Sequence, residues 1–226
     1  MLKFIFSLKK IYYSLRLFFC KKKLSFIVSF PRSAQGAVKI GLQNYTKLFN
    51  IEFKYCEHYQ CCNTIPCAKG SNIIKNHDYN QILPFSKNHK YLVLLRKDKL
   101  DQLDSYYRLK NPKVKTLYQD SIIDFNRFKS FYLKNETYYD SFKRRWLNLS
   151  NLPNVKILYY EDFVNDYENS LIDIIKFFKL SSNPDRVTIK SLINVSLIFR
   201  KEKHHIEIKK QNLNFLRSNF NINEKN

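Results

Sequence analysis

Three glycines in 226 residues leave this chain almost without the residue that tolerates any backbone conformation, so each glycine marks a place where the backbone approaches something closely. Two of them, Gly36 and Gly41, share one short stretch. Paired C-x-x-C spacing is missing although five cysteines are present, which argues against a zinc site. No long apolar run is available to cross a bilayer, because Lys3, Lys9, Lys10 and Arg16 interrupt residues 1–23. No small-residue cleavage site follows them as in a secretory signal, and a reducing cytoplasm is the expected location. Repeats, low-complexity linkers and nucleic-acid motifs are also missing. Acids are scarce: 19 Asp and Glu stand against 40 Lys and Arg, a net charge of +21. That excess suits an acidic partner, whether nucleic acid, an anionic membrane surface, an anionic glycan or a multiply charged nucleotide. Lysine exceeds arginine, and Asn, Ile, Tyr and Phe abound, as in proteins of A- and T-rich genomes, so part of the charge is solvated surface. With the lysines spread along the chain, no dedicated nucleic-acid partner is expected.

What is present is concentrated in residues 25–41, S-F-I-V-S-F-P-R-S-A-Q-G-A-V-K-I-G. Ser25 to Phe30 has the β-branched and aromatic content of a buried strand. Pro31 lacks the N–H needed to continue the ladder. Arg32, Ser33, Ala34, Gln35 and Gly36 then form a tight turn, and a helix from about Ala37 points its free N–H groups back at that turn. Such a terminus binds phosphate or sulfate through donors and the positive end of the helix dipole. The nucleotide triphosphate pattern G-x-x-x-x-G-K-[ST] is not met, because Ala37 and Val38 follow Gly36 and supply neither the lysine nor the magnesium-binding hydroxyl. A kinase or ATPase is therefore not expected.

The strand, P-R-S turn and helix resemble the sulfate-side loop of sulfotransferases that use 3′-phosphoadenosine 5′-phosphosulfate (PAPS), with Ala34 where that family usually has glycine. Three further segments extend the resemblance, in the family's order, over residues 24–205. Residues 91–107, Y-L-V-L-L-R-K-D-K-L-D-Q-L-D-S-Y-Y, read as a strand ending at Arg96 and a helix carrying Ser105. The resemblance implies that this pair grips the 3′-phosphate, and a planar guanidinium with a short hydroxyl donor suits a phosphate. Residues 155–180 are similar to the family's strand, Y-E-D-[LF] element and helix. Lys75-Asn76-His77 matches its K-x-H element.

The resemblance implies a fold and a chemistry. The fold is α/β and three-layered: a central parallel sheet with helices on both faces, P-loop NTPase-like, with the ligand at the C-terminal strand ends. Residues 24–211 would form this domain, preceded by a basic amphipathic helix in 1–23 and followed by a polar tail, 212–226. The activity would be in-line transfer of a sulfuryl group from PAPS to an acceptor hydroxyl, with no metal expected, because fixed cations and N–H donors stabilise a loose transition state. Arg32 and the amides from Ser33 through Ala34, Gln35, Gly36 and Ala37 would hold sulfate and 5′-phosphate. His77 would act as general base, with Lys75 on the sulfuryl oxygens. Tyr160 would lie near the adenine. Arg200 and Lys201, in I-F-R-K-E-K-H-H, resemble a C-terminal phosphate-binding segment. A carbohydrate or glycolipid hydroxyl is the first choice of acceptor, with small alcohols and phenols open. The competing reading is a nucleotide- or nucleic-acid-binding protein on the same fold without transferase activity.

Two segments lie outside that pattern. Residues 1–23 suit an interfacial helix on an anionic membrane or, equally, a helix packed on the domain's own surface. Cys56, Cys61, Cys62 and Cys67 crowd into C-E-H-Y-Q-C-C-N-T-I-P-C with His58 nearby. Packed free thiols are expected there, with disulfides as the alternative.

Overall fold

The computed structural model describes residues 2–58, 60–62, 64–78, 81–111, 125–181, 214, 217 and 218. Two compact units divide the chain, one of Met1–Lys97 with Tyr138–Leu192 and the other of Asp98–Thr137 with Ile193–Asn226.

The first unit is built on five parallel strands, β1 (Ser25–Ser29), β2 (Tyr55–Glu57), β3 (Ile73–Asn76), β4 (Lys90–Leu95) and β5 (Val155–Tyr159), in the order β2-β3-β1-β4-β5. From Phe26 to Ser29 and from Tyr91 to Leu95 every strand residue is buried, so both faces of the central strands are covered, as parallel sheets require. Phe26 stacks on Tyr91, and Tyr91 meets Trp146, which lies in the long helix α4 (Phe125–Leu147). The chain runs outward from β1 to β2, returns to β3 beside β1, and then crosses to β4 on the other side. That reversal of direction falls between β1 and β4, and the carboxyl ends of strands at such a switch point are where open α/β sheets bind ligands.

Helix α1 (Leu2–Phe18) precedes the sheet, and α2 (Gln35–Leu48) follows β1. After β5 the chain makes two helices, α5 (Tyr160–Asn165) and α6 (Tyr167–Phe178), where the sequence suggested one, because Asp166 caps a new start by accepting from the Asn169 N–H. Apolar Leu171, Ile174, Ile175 and Phe178 are buried on α6, as their spacing predicted.

Gly41 proves to be a packing glycine. A Cβ there would stand 2.6 Å from the Tyr167 hydroxyl and 3.1 Å from Leu171 Cδ1, so its close approach is of α2 to α6. Gly41→Ala is expected to lower stability by about 1 kcal/mol net, overlap outweighing the helix-propensity gain. Tyr167→Phe in that background removes the oxygen and should recover part of the melting temperature; an unchanged melt for Gly41→Ala would refute the contact.

The second unit holds α3 (Lys99–Lys110) and the first part of α4. Asp98 caps α3 by accepting from the Asp101 N–H at 3.1 Å, and Arg108 donates to both oxygens of Asp104 at 3.0 and 2.9 Å. Tyr107 packs edge-on against Phe128 and Phe131, and Lys99 pairs with Glu136 at 2.7 Å.

Candidate active site

The turn after β1 is strained in a useful way. Arg32 and Ala34 both adopt left-handed backbone, with φ of 74° and 59°, a conformation that costs a non-glycine residue on the order of 1 kcal/mol. Left-handed residues set between ordinary ones turn successive N–H groups toward a single side, which makes an anion-binding concavity. Ser33 is buried and its hydroxyl donates to the Phe30 carbonyl at 3.0 Å. Ala34 thus holds the conformation that glycine would adopt more easily.

Helix α2 begins at Gln35, two residues before the Ala37 start that the sequence suggested, so Gln35 and Gly36 belong to its first turn. The Gln35 amide donates inward to the carbonyls of Ile27 at 3.1 Å and Asn76 at 3.4 Å. Its side chain therefore braces β1 against β3, and its Oε1 is buried without a hydrogen-bond partner among the described residues. The first intrahelical bond runs from the Val38 N–H to the Ala34 carbonyl at 3.1 Å, and among the described residues no side chain caps this end. Amides at such a terminus await a partner. Gly36 faces open space: a Cβ there would meet nothing within 4 Å.

Arg96 directly follows β4. Its Nε donates to the Arg32 carbonyl at 3.1 Å, and its guanidinium lies 4.3 Å from the centre of the Tyr160 ring. The side chain is 6% exposed, and the Tyr139 hydroxyl donates to its carbonyl at 3.0 Å. A planar cation stacked on a ring and tied to the turn is already in position for an anion. Tyr160 starts α5, directly after β5. Next to it, Glu161 accepts from the Lys97 N–H at 3.0 Å.

His77 follows β3 directly and is exposed. Its Nδ1 lies 3.2 Å from the Ser29 hydroxyl, so the proton chemistry of the ring falls to Nε2. Desolvation by the neighbouring strand ends and, after it, the Lys75 ammonium lower its pKa, with contacts to Ser29 and Glu57 opposing them and solvent at the exposed side of the ring moderating the shift. The ring is therefore neutral, the form that accepts a proton. Lys75 reaches Glu57 at 3.3 Å, and Lys39 meets the other oxygen at 3.0 Å, so one carboxylate steadies two cations beside His77. Desolvation pulls Glu57 upward, and the hydrogen bond and charge of Lys39 with the charge of Lys75 outweigh it, holding this carboxyl below its usual range.

Asp78 is fully buried. It accepts from Arg145 at 2.6 Å, from the Trp146 indole at 3.2 Å and from the Leu83 N–H at 2.8 Å, so it anchors the segment after His77 and is not placed to act as a base. Ser29, Glu57 and Tyr139 were not singled out by sequence reasoning, since each acts through a tertiary partner, and for Gln35 the sequence pointed to its backbone amide and not to the bracing role of its side chain. Glu57, an acid closing a short strand in a basic chain, was the one of these with a visible signal. Arg32, Ser33, Ala34, Gln35, Gly36, Ala37, Lys75, His77, Arg96 and Tyr160 all lie in the first unit. Ser105 lies on α3 in the second unit, while Arg200 and Lys201 fall outside the described residues.

The profile of the sulfotransferase domain family matches residues 38–213. The chain belongs to this family. The profile match starts at Val38, just past the turn, so the Arg32–Gly36 geometry is evidence separate from it. Among solved structures, the chain is similar to mouse sulfotransferase SULT7A1 complexed with PAP, with a TM-score of 0.58 and 18% identity over 76% of this chain and 63% of that one. It is also similar to retinol dehydratase in complex with androsterone and inactive cofactor PAP, with a TM-score of 0.54 and 17% identity over 80% of this chain and 66% of the other. These likenesses concern the fold, and the chain spans less than two thirds of the length of either relative. No curated protein matches it.

Proposed function

We propose that this sulfotransferase-family chain moves a sulfuryl group from PAPS to an acceptor hydroxyl. The observation that carries this reading is the convergence of an uncapped helix terminus, the Arg96 guanidinium fixed on the Arg32 turn, and neutral His77 at one set of strand ends. The donor brings a sulfuryl group on a phosphate leaving group. Arg32 and the amides of the turn hold its anionic end, Gly36 leaves room for it, and Arg96 holds the 3′-phosphate with Tyr160 beside the base. His77 takes the acceptor proton at Nε2, and Lys75, shared with Glu57, sets a positive charge against the negative charge of the sulfuryl oxygens.

A carbohydrate or glycolipid acceptor fits the net charge of +21, because a basic surface attracts an anionic polymer. The test is thermal stabilisation by adenosine 3′,5′-bisphosphate (PAP) measured against ATP and DNA, followed by transfer of labelled sulfate from PAPS to candidate glycans. Stabilisation by PAP with transfer supports the proposal. Stabilisation by DNA alone would favour a nucleic-acid-binding protein on this fold.

We propose in addition that α1 holds the chain against an anionic membrane surface. On α1, Tyr13 and Leu17 are buried, while Leu8, Ile11, Tyr12, Leu15, Phe18 and the following Phe19 are at least half exposed. These six recur at helical spacing on one face, beside Lys9, Lys10, Arg16 and the run Lys21 to Lys23, and the first acid in the chain is Glu52. No helix among the described residues is long and apolar enough to cross a membrane, so the arrangement suits a helix lying in the interface. The chain should sediment with phosphatidylglycerol vesicles and not with neutral phosphatidylcholine, and Ile11→Asp with Phe18→Asp should abolish that binding. Self-association through α1 without vesicle binding would overturn it.

A further inference from the structure

We propose that Cys56, Cys61, Cys62 and Cys67 bind one zinc ion as a four-thiolate structural site. The sequence does not announce it, because C-x₄-C-C-x₄-C lacks the usual paired spacing. The fold supplies what the spacing withholds. Cys56 is the middle residue of β2. Cys61 is brought back by a turn in which its N–H and that of Gln60 donate to the Glu57 carbonyl at 2.8 and 2.9 Å, and Cys62 bridges to His58. Cys67 comes from the next loop, which closes with the Gly70 N–H on the Cys67 carbonyl at 3.0 Å.

All four sulfurs lie within 4.8 Å of one another, and those of Cys56 and Cys62 are 3.6 Å apart. A tetrahedron of sulfurs about 2.3 Å from a central zinc has edges of about 3.8 Å. Two disulfides would need only two close pairs. Mutual proximity of all four is what a single ion requires. His58 does not compete, since Asn76 occupies its Nδ1 at 3.0 Å and Tyr13 its Nε2 at 3.5 Å.

Binding is a ligand exchange without redox change: four thiols release four protons to solvent and form four Zn–S bonds. The site would pin β2 to the connection leading into β3. It would thereby hold Glu57, whose carbonyl anchors the cysteine turn and whose carboxylate steadies Lys39 and Lys75. Its role is structural, and it reaches sulfuryl transfer only through the Glu57–Lys75 pair.

The full chain, purified with reductant and without chelator, should carry about one zinc per chain by elemental analysis. Mercurial titration of the thiols should release that zinc to a chromogenic chelator. Cys62→Ser with Cys67→Ser should remove it, while Cys20→Ser should not. If the double variant fails to fold, cobalt replaces zinc in the wild-type chain, and thiolate-to-cobalt charge transfer with tetrahedral d–d absorption reads the same ligand set. Zinc below about a tenth of an equivalent after reconstitution under reductant, iron in its place, or two disulfides in the alkylated protein would each overturn the proposal.

Discussion

His77→Ala is expected to cut turnover by roughly 100-fold or more while leaving PAP affinity nearly unchanged, because a general base acts on the transition state and not on the nucleotide. Its pH signature is specific. The pKa of His77 is lowered, so its proton-accepting form persists to lower pH than for an ordinary histidine, and the acid limb of kcat/KM belongs below the ordinary histidine range. Lys75→Met removes one of the two causes of that depression, so the limb should move to higher pH. A His77→Ala enzyme that keeps near-full activity from about pH 6 to 9 would place the base elsewhere. Asp78 is buried and held by three donors, which leaves Glu161 as the next candidate.

Arg96→Ala should erase most of the preference for PAP over AMP. Loss of a charge-assisted contact costs about 2–3 kcal/mol, roughly a 30- to 150-fold change in relative affinity. Because Arg96 also donates to the Arg32 carbonyl and lies over Tyr160, part of the effect would be a looser turn. Arg96→Lys separates the two: it keeps the charge without the planar fork, so it should retain some PAP preference and lose the fixed geometry. Wild-type protein that responds equally to PAP and AMP would refute the assignment of Arg96 to a 3′-phosphate. Unaltered selectivity in Arg96→Ala would do the same.

Local sequence chemistry determined a good deal. The S-F-I-V-S run, the Pro31 break and the polar turn announced β1, its end and the helix behind it, because strand propensity, a missing N–H and turn residues are properties of a few neighbouring residues. The buried run Tyr91 to Leu95 and the helical spacing from Leu171 to Phe178 were legible for the same reason. Strand β3 was not: Ile73 and Ile74 lie in a run too short to show a period, and only pairing on both sides with β1 and β2 makes them a strand. Gly41 looked like part of the anion turn until Tyr167, distant in sequence, was seen against it. Ala34 departed from the family's glycine on paper, yet it adopts the left-handed backbone that glycine favours. Likewise the four cysteines were only a crowd in the chain, and their convergence within 4.8 Å came from a turn and a loop folding back on β2. Residue type and short-range periodicity reside in the sequence itself, whereas ion pairs, helix-to-helix clearances and ligand clusters depend on distances between residues far apart along it, which only the packed sheet sets.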